Sequence, residues 1–368
     1  MKKLIQTVLK VMQVVAATAM LSALLPMSPA AANVEANIGT NFDEAALYSP
    51  VTSRDFANTM EVDVDDEGNI YTASVALQTQ ALTHTRQLGV SETYAVGRGV
   101  KHGNNLIVTK VDKNGALVWA WELRAVSGSK QFGWWNDIAV APDGTVHVVG
   151  YYKGFGHAWH HKAGDTPRPS INEDGTLIAG DYIMDYTPTQ SLGQWVTINA
   201  DGTTRHIKGL KATTSSYFES VDVDSNGDVL IAGRNHGQTW MDMNDHTGPT
   251  VSSSDTTPYI GKYEANGDLI WSRRLNRCGD YDHSSAWDAT FTSDGRIAVV
   301  GAYSGTPTWS CAQDGGVVKG NEGPSSILGN SFPNHVTLGM RSYIAFLTSD
   351  GAMAVSYTHL RAHETRED

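Results

Sequence analysis

Val221-Asp222-Val223-Asp224-Ser225-Asn226-Gly227-Asp228-Val229-Leu230-Ile231-Ala232-Gly233 sets two short runs of β-branched and apolar residues on either side of a polar Asn-Gly centre. Alternation on both arms reads as strand, tight turn, strand. The pattern returns in Met60–Ser74 around Gly68, in Ile138–Gly150 around Gly144 and in Ala289–Gly301 around Gly295. The four turn glycines are spaced 76, 83 and 68 residues apart. An aromatic residue is expected just ahead of each first strand: Phe56, Trp135, Phe218 and Trp287. A second hairpin is interleaved with the first, around Gly115, Gly202, Gly267 and Gly351, which fall 47, 58, 40 and 56 residues after the first set. Two hairpins make a four-stranded antiparallel unit, strands a to d, that cannot bury both faces alone and must stack on its neighbours. Radial stacking predicts an all-β fold, a β-propeller of four-stranded antiparallel blades. Its repeats cover about 55–125, 126–211, 212–277 and 278–354. The competing stack, a β-solenoid, has shorter repeats of nearly constant length.

Composition agrees with a folded β protein. The 368 residues are 40% hydrophobic and 18% charged, enough apolar side chain for a large core. A net charge of −12 argues against nucleic acid as a partner, because phosphate contacts need clustered cations. Residues 1–32 combine Lys2, Lys3 and Lys10 with an apolar run to Leu25 and an Ala30-Ala31-Ala32 site, which predicts a secretory signal peptide. The alternative, an N-terminal membrane anchor, is opposed by Ser22, Pro26 and Pro29 inside the run. Export to the periplasm or the cell surface follows, with no transmembrane segment in the mature chain. Residues 33–54 form a lead-in segment. Residues 355–368 resemble a translated sequencing-adapter tail, the alternative being a real polar terminus. On the first reading the fourth repeat is cut short at its last strand, and the visible repeats are part of a ring of six to eight.

Asp65-x-x-Gly68-Asn69-Ile70-Tyr71, followed later by Lys110-x-Asp112-x-x-Gly115-x-x-x-Trp119, resembles bacterial β-propeller repeats of the SBBP type. More distantly it is similar to quinoprotein dehydrogenase blades, whose repeats carry a Gly-x-x-x-Trp docking element. Gly115 to Trp119 and Gly267 to Trp271 match that element, while His206 stands at the tryptophan position of the second repeat. The resemblance spans about residues 55–354 and implies the fold; it implies no single chemistry.

Connectivity divides the loops. The a–b and c–d turns are short and share one side, whereas long segments at about 75–105, 151–193, 234–258 and 302–342 link b to c on the other. Insertions confined to one face mark a binding face, and loops this long are expected to hold extra hairpins, as at Asp174–Gly180. Histidines and aromatics gather there. The candidate ligand residues are Trp134, His157, Trp159, His160, His161, Trp240, Tyr281, His283 and Trp309, with Tyr151 and Tyr152 nearby. Aromatic faces stack on sugar C–H groups while polar neighbours bond hydroxyls, so a glycan is the expected ligand, or else a protein partner. Gly156–Lys162 holds three histidines in five residues; a solvated His-rich loop is preferred over a transition-metal site, because no Cys pair or further ligand motif completes one.

Asp222, Asp224 and Asn226 have spacing suited to calcium, although turn chemistry alone also places Asp and Asn before Gly. Cys278 and Cys311 lie on the same side, and export favours a disulfide between them over two free thiols. No nucleophile elbow, phosphate loop or dinucleotide motif occurs. The leading expectation is therefore an exported binding or interaction module. The alternatives are an exported propeller enzyme, polysaccharide-cleaving or quinone-dependent, and a pure scaffold within a larger surface protein.

Overall fold

The computed structural model describes residues 46–50, 56–77, 81–86, 91–95, 104–125, 132–154, 156–162, 165, 180–184, 189–245, 250–251, 256–274, 284–304, 316–318 and 340–358. All regular structure among them is β-strand. Strand β1 (Ala46–Pro50) is followed by a hairpin, β2 (Phe56–Val64) and β3 (Ile70–Leu77), an insert, β4 (Ala81–Arg86) and β5 (Ser91–Ala95), and a second hairpin, β6 (Asn104–Val111) and β7 (Leu117–Ala125). The order then repeats. Hairpin β8 (Phe132–Val140) and β9 (Val146–Lys153) leads to insert β10 (Gly156–Lys162) and β11 (Tyr182–Ile183), then to β12 (Leu192–Ile198) and β13 (Thr204–Gly209). The third round is β14 (Ser215–Val223), β15 (Val229–His236), insert β16 (Thr239–Trp240) and β17 (Thr250–Val251), β18 (Thr257–Tyr263) and β19 (Leu269–Arg274). The fourth is β20 (Ser284–Phe291), β21 (Ile297–Ser304), insert β22 (Gly316–Val318), β23 (Met340–Leu347) and β24 (Met353–Thr358).

Each round makes one antiparallel sheet with the four strands in chain order, a to d. The strands join at the expected places because the eight turn glycines all have positive φ, between 79° and 89°. The turns at Gly68, Gly115, Gly144, Gly202, Gly227, Gly267 and Gly351 follow one scheme: in the first, Gly68 N–H donates to Asp65 O and Asp65 N–H to Asn69 O. That is a type I turn closed by a left-handed residue, a conformation glycine adopts without a Cβ penalty.

The inserts do more than decorate. Strand β10 pairs with β7, the outer strand of the preceding sheet, and β22 likewise pairs with β19. Strand β4 pairs with β1 and β5, and β16 with β17, so extra hairpins do occupy two of the long b–c segments. The segment 174–179, expected as another hairpin, lies outside the described residues, as do the disulfide candidates Cys278 and Cys311. Residues 353–358, which overlap the expected adapter-like tail, form β24 against β23.

Three apolar clusters lie between successive sheets. One joins Trp119, Trp121 and Leu123 to Trp135, Val148 and Val196. The next joins Val149 and Trp195 to Phe218, Ile231 and Tyr259. The third joins Leu230, Ile260 and Trp271 to Ala286, Val299 and Tyr343. Consecutive residues such as Val148 and Val149, or Leu230 and Ile231, therefore serve cores on opposite faces of one sheet. Strand β12 is buried at every position for this reason.

Tryptophan docking ties neighbouring sheets together. Trp119 Nε1–H donates to Ala200 O at 3.1 Å, and Trp271 Nε1–H to Ser349 O at 2.9 Å. Both acceptors lie two residues before the c–d turn glycine of the next sheet, and the indole sits so close to that glycine that a Cβ on Gly202 or Gly351 would come within 2.8 Å of it. In the second sheet His206 takes the same place against Gly267.

Candidate functional site

The first strands of the four sheets share an irregularity. In each a–b pair the register skips one residue: Met60, Asn136, Glu219 and Trp287. A β-bulge of this kind bends the strand and re-aims its side chains. The next residues, Glu61, Asp137, Ser220 and Asp288, thereby stand at one equivalent position in all four sheets.

Some of these groups lock sheet to sheet. Asp137 Oδ2 accepts Val221 N–H at 2.8 Å, and Ser220 Oγ accepts Ala289 N–H at 3.0 Å. Two residues further on, Asp63 Oδ2 accepts Val140 N–H and Asp222 Oδ2 accepts Phe291 N–H, both at 2.8 Å. Desolvation raises the Asp137 carboxyl well above its usual range, and Glu61 and Asp288 push the same way against the two backbone N–H groups that oppose them. Burial alone brings Glu61 up to about 7.

A solvent-facing patch lies beside this row, at the b–c end of the third and fourth sheets. Arg234 on β15 pairs across the strands with Tyr217 on β14, and its guanidinium lies 5.0 Å from the Tyr217 ring centroid and 5.4 Å from that of Trp287. Its Nε is 3.1 Å from Glu219 Oε1. Asn136 Nδ2 donates to Glu219 Oε2 at 3.1 Å and to Phe218 O at 2.6 Å. The ring of Tyr151 meets Tyr217 edge-on at 4.9 Å. Desolvation raises the Glu219 carboxyl, and Arg234 counters it. Trp287 is 43% exposed, the bulge having turned it out of the core.

The residues expected from sequence fall differently. Trp134 is not in a loop; it lies within β8 and packs against the first core cluster. The stretch Gly156–Lys162 is not a solvated loop but strand β10, where His157, Trp159 and His161 are buried. Sheet pairing explains the difference, since β10 is sealed against β7 along its full length. There His161 Nε2 lies 2.6 Å from Glu122 Oε1, Glu122 also pairs with Arg124, and the Arg124 guanidinium sits 4.3 Å from the Trp159 ring centroid. Burial pushes Glu122 up, but Arg124 and the hydrogen bonds to it outweigh this and leave it lowered. His160 is half-buried and its backbone N–H donates to Asp181. Trp240, on β16, stacks under Lys211 Nζ at 4.2 Å. Tyr281, His283 and Trp309 lie outside the described residues.

Two of the calcium candidates, Asp222 and Asp224, accept hydrogen bonds from the protein. Asp222 is turned onto β20, where Thr290 Oγ1–H and Phe291 N–H donate to it. Asp224 Oδ1 accepts Asn226 N–H and Asp228 N–H within its own turn, and Lys262 Nζ lies 2.9 Å from Asp228. Among the described residues no three His, Cys, Asp or Glu side chains come together as a metal ligand set. The aromatics expected before the first strands lie inside them; Trp287 reaches solvent, whereas Trp135 and Phe218 are buried. Sequence reasoning missed Arg234, Glu219, Tyr217 and Asn136. The available signal was the eighth residue before each turn glycine, which reads Met60, Asn136, Glu219 and Trp287.

No family model matches the chain, and no curated protein matches it. Among the described residues no helix is long and apolar enough to cross a membrane.

Proposed function

We propose that the four sheets are blades of an exported β-propeller acting as a glycan-binding module, with its ligand face on the b–c side. The observation that carries the reading is the patch of Trp287, Tyr217, Tyr151 and Arg234, set around a bulge that exposes an indole which regular alternation would bury. Rigid aromatic faces beside a guanidinium, an amide and tyrosine hydroxyls supply both stacking area and hydrogen bonds. Sheet-to-sheet tryptophan docking and three inter-sheet cores support the stacked-blade arrangement. Binding of the purified chain to a glycan array, followed by quenching of tryptophan fluorescence with the best ligand, tests the reading. Trp287→Ala should abolish the response; a wild-type chain that binds no glycan refutes it.

A polysaccharide-cleaving enzyme is the second reading. It is favoured by Glu61, which burial brings to about 7, the range of a general acid, in register with the exposed Asp288. Release of reducing ends from the bound glycan, lost in Glu61→Gln, would establish it; a bound glycan recovered intact excludes it.

A further inference from the structure

We infer that Arg234 reads a carboxylate, and that the ligand of the aromatic patch is an acidic polysaccharide built on uronate units. The inference rests on the glycan reading above and narrows it to a substrate class.

Arg234 is placed to act as a fork. Its Nε is the atom that faces Glu219, at 3.1 Å, and its side chain is 34% exposed. Among the described residues its two terminal nitrogens have neither a hydrogen bond nor an ion pair. The plane is held from several sides: Tyr217 at 5.0 Å, Trp287 at 5.4 Å, and Glu219, itself fixed by Asn136 Nδ2. A guanidinium so positioned offers two parallel N–H donors to a planar carboxylate, with little rotamer freedom left to lose on binding.

The neighbouring surface defines what carries that carboxylate. Trp287 shows its ring to solvent beside the guanidinium, so the ligand needs an apolar face adjacent to an acid group. A hexuronate has both: C–H groups on one face of the ring and a carboxylate at its edge. A neutral hexose would cover Trp287 but leave the terminal nitrogens unmatched. The acidic chain as a whole opposes any anion, yet screening confines that field to about 8 Å at physiological ionic strength. Within that range Glu219 is already paired to Arg234, and the exposed Asp288 next to Trp287 is the opposing charge that the fork has to outweigh. The attraction is therefore local and directional, through the fork, rather than a long-range steering effect.

The test compares oligosaccharides of galacturonate with their carboxyl-reduced counterparts and with sulfated glycans, by fluorescence titration against the whole chain. The uronate should bind about tenfold or more tightly than the reduced sugar, as expected for hydrogen bonds to a charged group. Arg234→Lys, which keeps the charge and loses the fork, should erase the preference with the melting temperature unchanged. Should Arg234→Lys fail to fold, the reduced-sugar comparison on the wild type and Trp287→Ala carry the decision. Equal affinity for uronate and reduced sugar, or preference for sulfated chains, overturns the inference while leaving glycan binding intact. Binding of no glycan at all overturns both.

Discussion

Two histidines make the second sheet sensitive to acid, by an amount that can be worked out. His147 is 1% exposed, and its Nδ1 accepts from Trp195 Nε1–H at 3.2 Å, so that nitrogen carries no proton. Thr197 Oγ1 lies 3.2 Å from the same atom and 2.8 Å from His206 Nε2. Burial, with Arg205 nearby, lowers His147 from 6.5 to about 3; burial and Lys208 bring His206 to about 3 as well. In the unfolded chain both would take up a proton near pH 6.5. Between pH 6.5 and 3 the unfolded state therefore binds more protons, and stability falls as pH falls. For His147 alone the loss relative to pH 7 is about 2 kcal/mol at pH 5 and about 3 kcal/mol at pH 4. His206 adds a loss of the same sign, less than additive because the two histidines face each other across Thr197. Glu61 acts oppositely. Its raised folded value stabilises at low pH and is lost as pH rises towards 7. The measurement is therefore a difference: urea unfolding followed by tryptophan fluorescence at pH 7, 6 and 5, for wild type and His147→Gln. Background from Glu61 and other carboxylates cancels between the two. The wild type should lose about 2 kcal/mol more than the variant on going from pH 7 to pH 5. Parallel pH profiles would show that His147 is not held neutral and would refute the account.

Three further outcomes are expected. Trp271→Ala removes the indole that seals the third sheet onto the c–d turn of the fourth, and should cost about 3–5 kcal/mol in denaturant unfolding. Glu122→Ala leaves Arg124 buried without its carboxylate and should cost about 3–5 kcal/mol, while Glu122→Ala combined with Arg124→Leu should recover part of the loss. Gly202→Ala places a Cβ within 2.7 Å of His160 and 2.8 Å of Trp119 at a φ of +89°, and should lower the melting temperature more than Gly295→Ala, whose Cβ meets nothing within 4 Å.

The four-stranded units were legible because Asp/Asn-Gly turns and strand alternation are local signals. Each turn glycine has the positive φ that its neighbours announce. The docking tryptophans were marked by the resemblance to quinoprotein blades, whose Gly-x-x-x-Trp element Gly115–Trp119 and Gly267–Trp271 match. What could not be read was pairing between distant segments. Nothing within Gly156–Lys162 states that it will lie against Glu122 and Arg124, so a run of histidines looked like a solvated loop. The bulges were hidden for a related reason. A skipped register interrupts the alternation at one residue, and so the pattern puts Trp287 ahead of its strand and leaves Glu219 and Asn136 out of theirs. The Arg234 patch draws on five strands, and no single stretch of sequence contains enough of it to be noticed.

The way β10 and β22 reach back to a strand made earlier has a bearing on synthesis. As the chain leaves the ribosome, β7 is complete at Ala125, but its outer edge has no partner until Gly156–Lys162 emerges. The same lag separates β19, finished at Arg274, from Gly316–Val318. Each nascent sheet thus passes through an interval with an open hydrogen-bonding rim, and a pause in translation inside that interval would expose the rim to other chains.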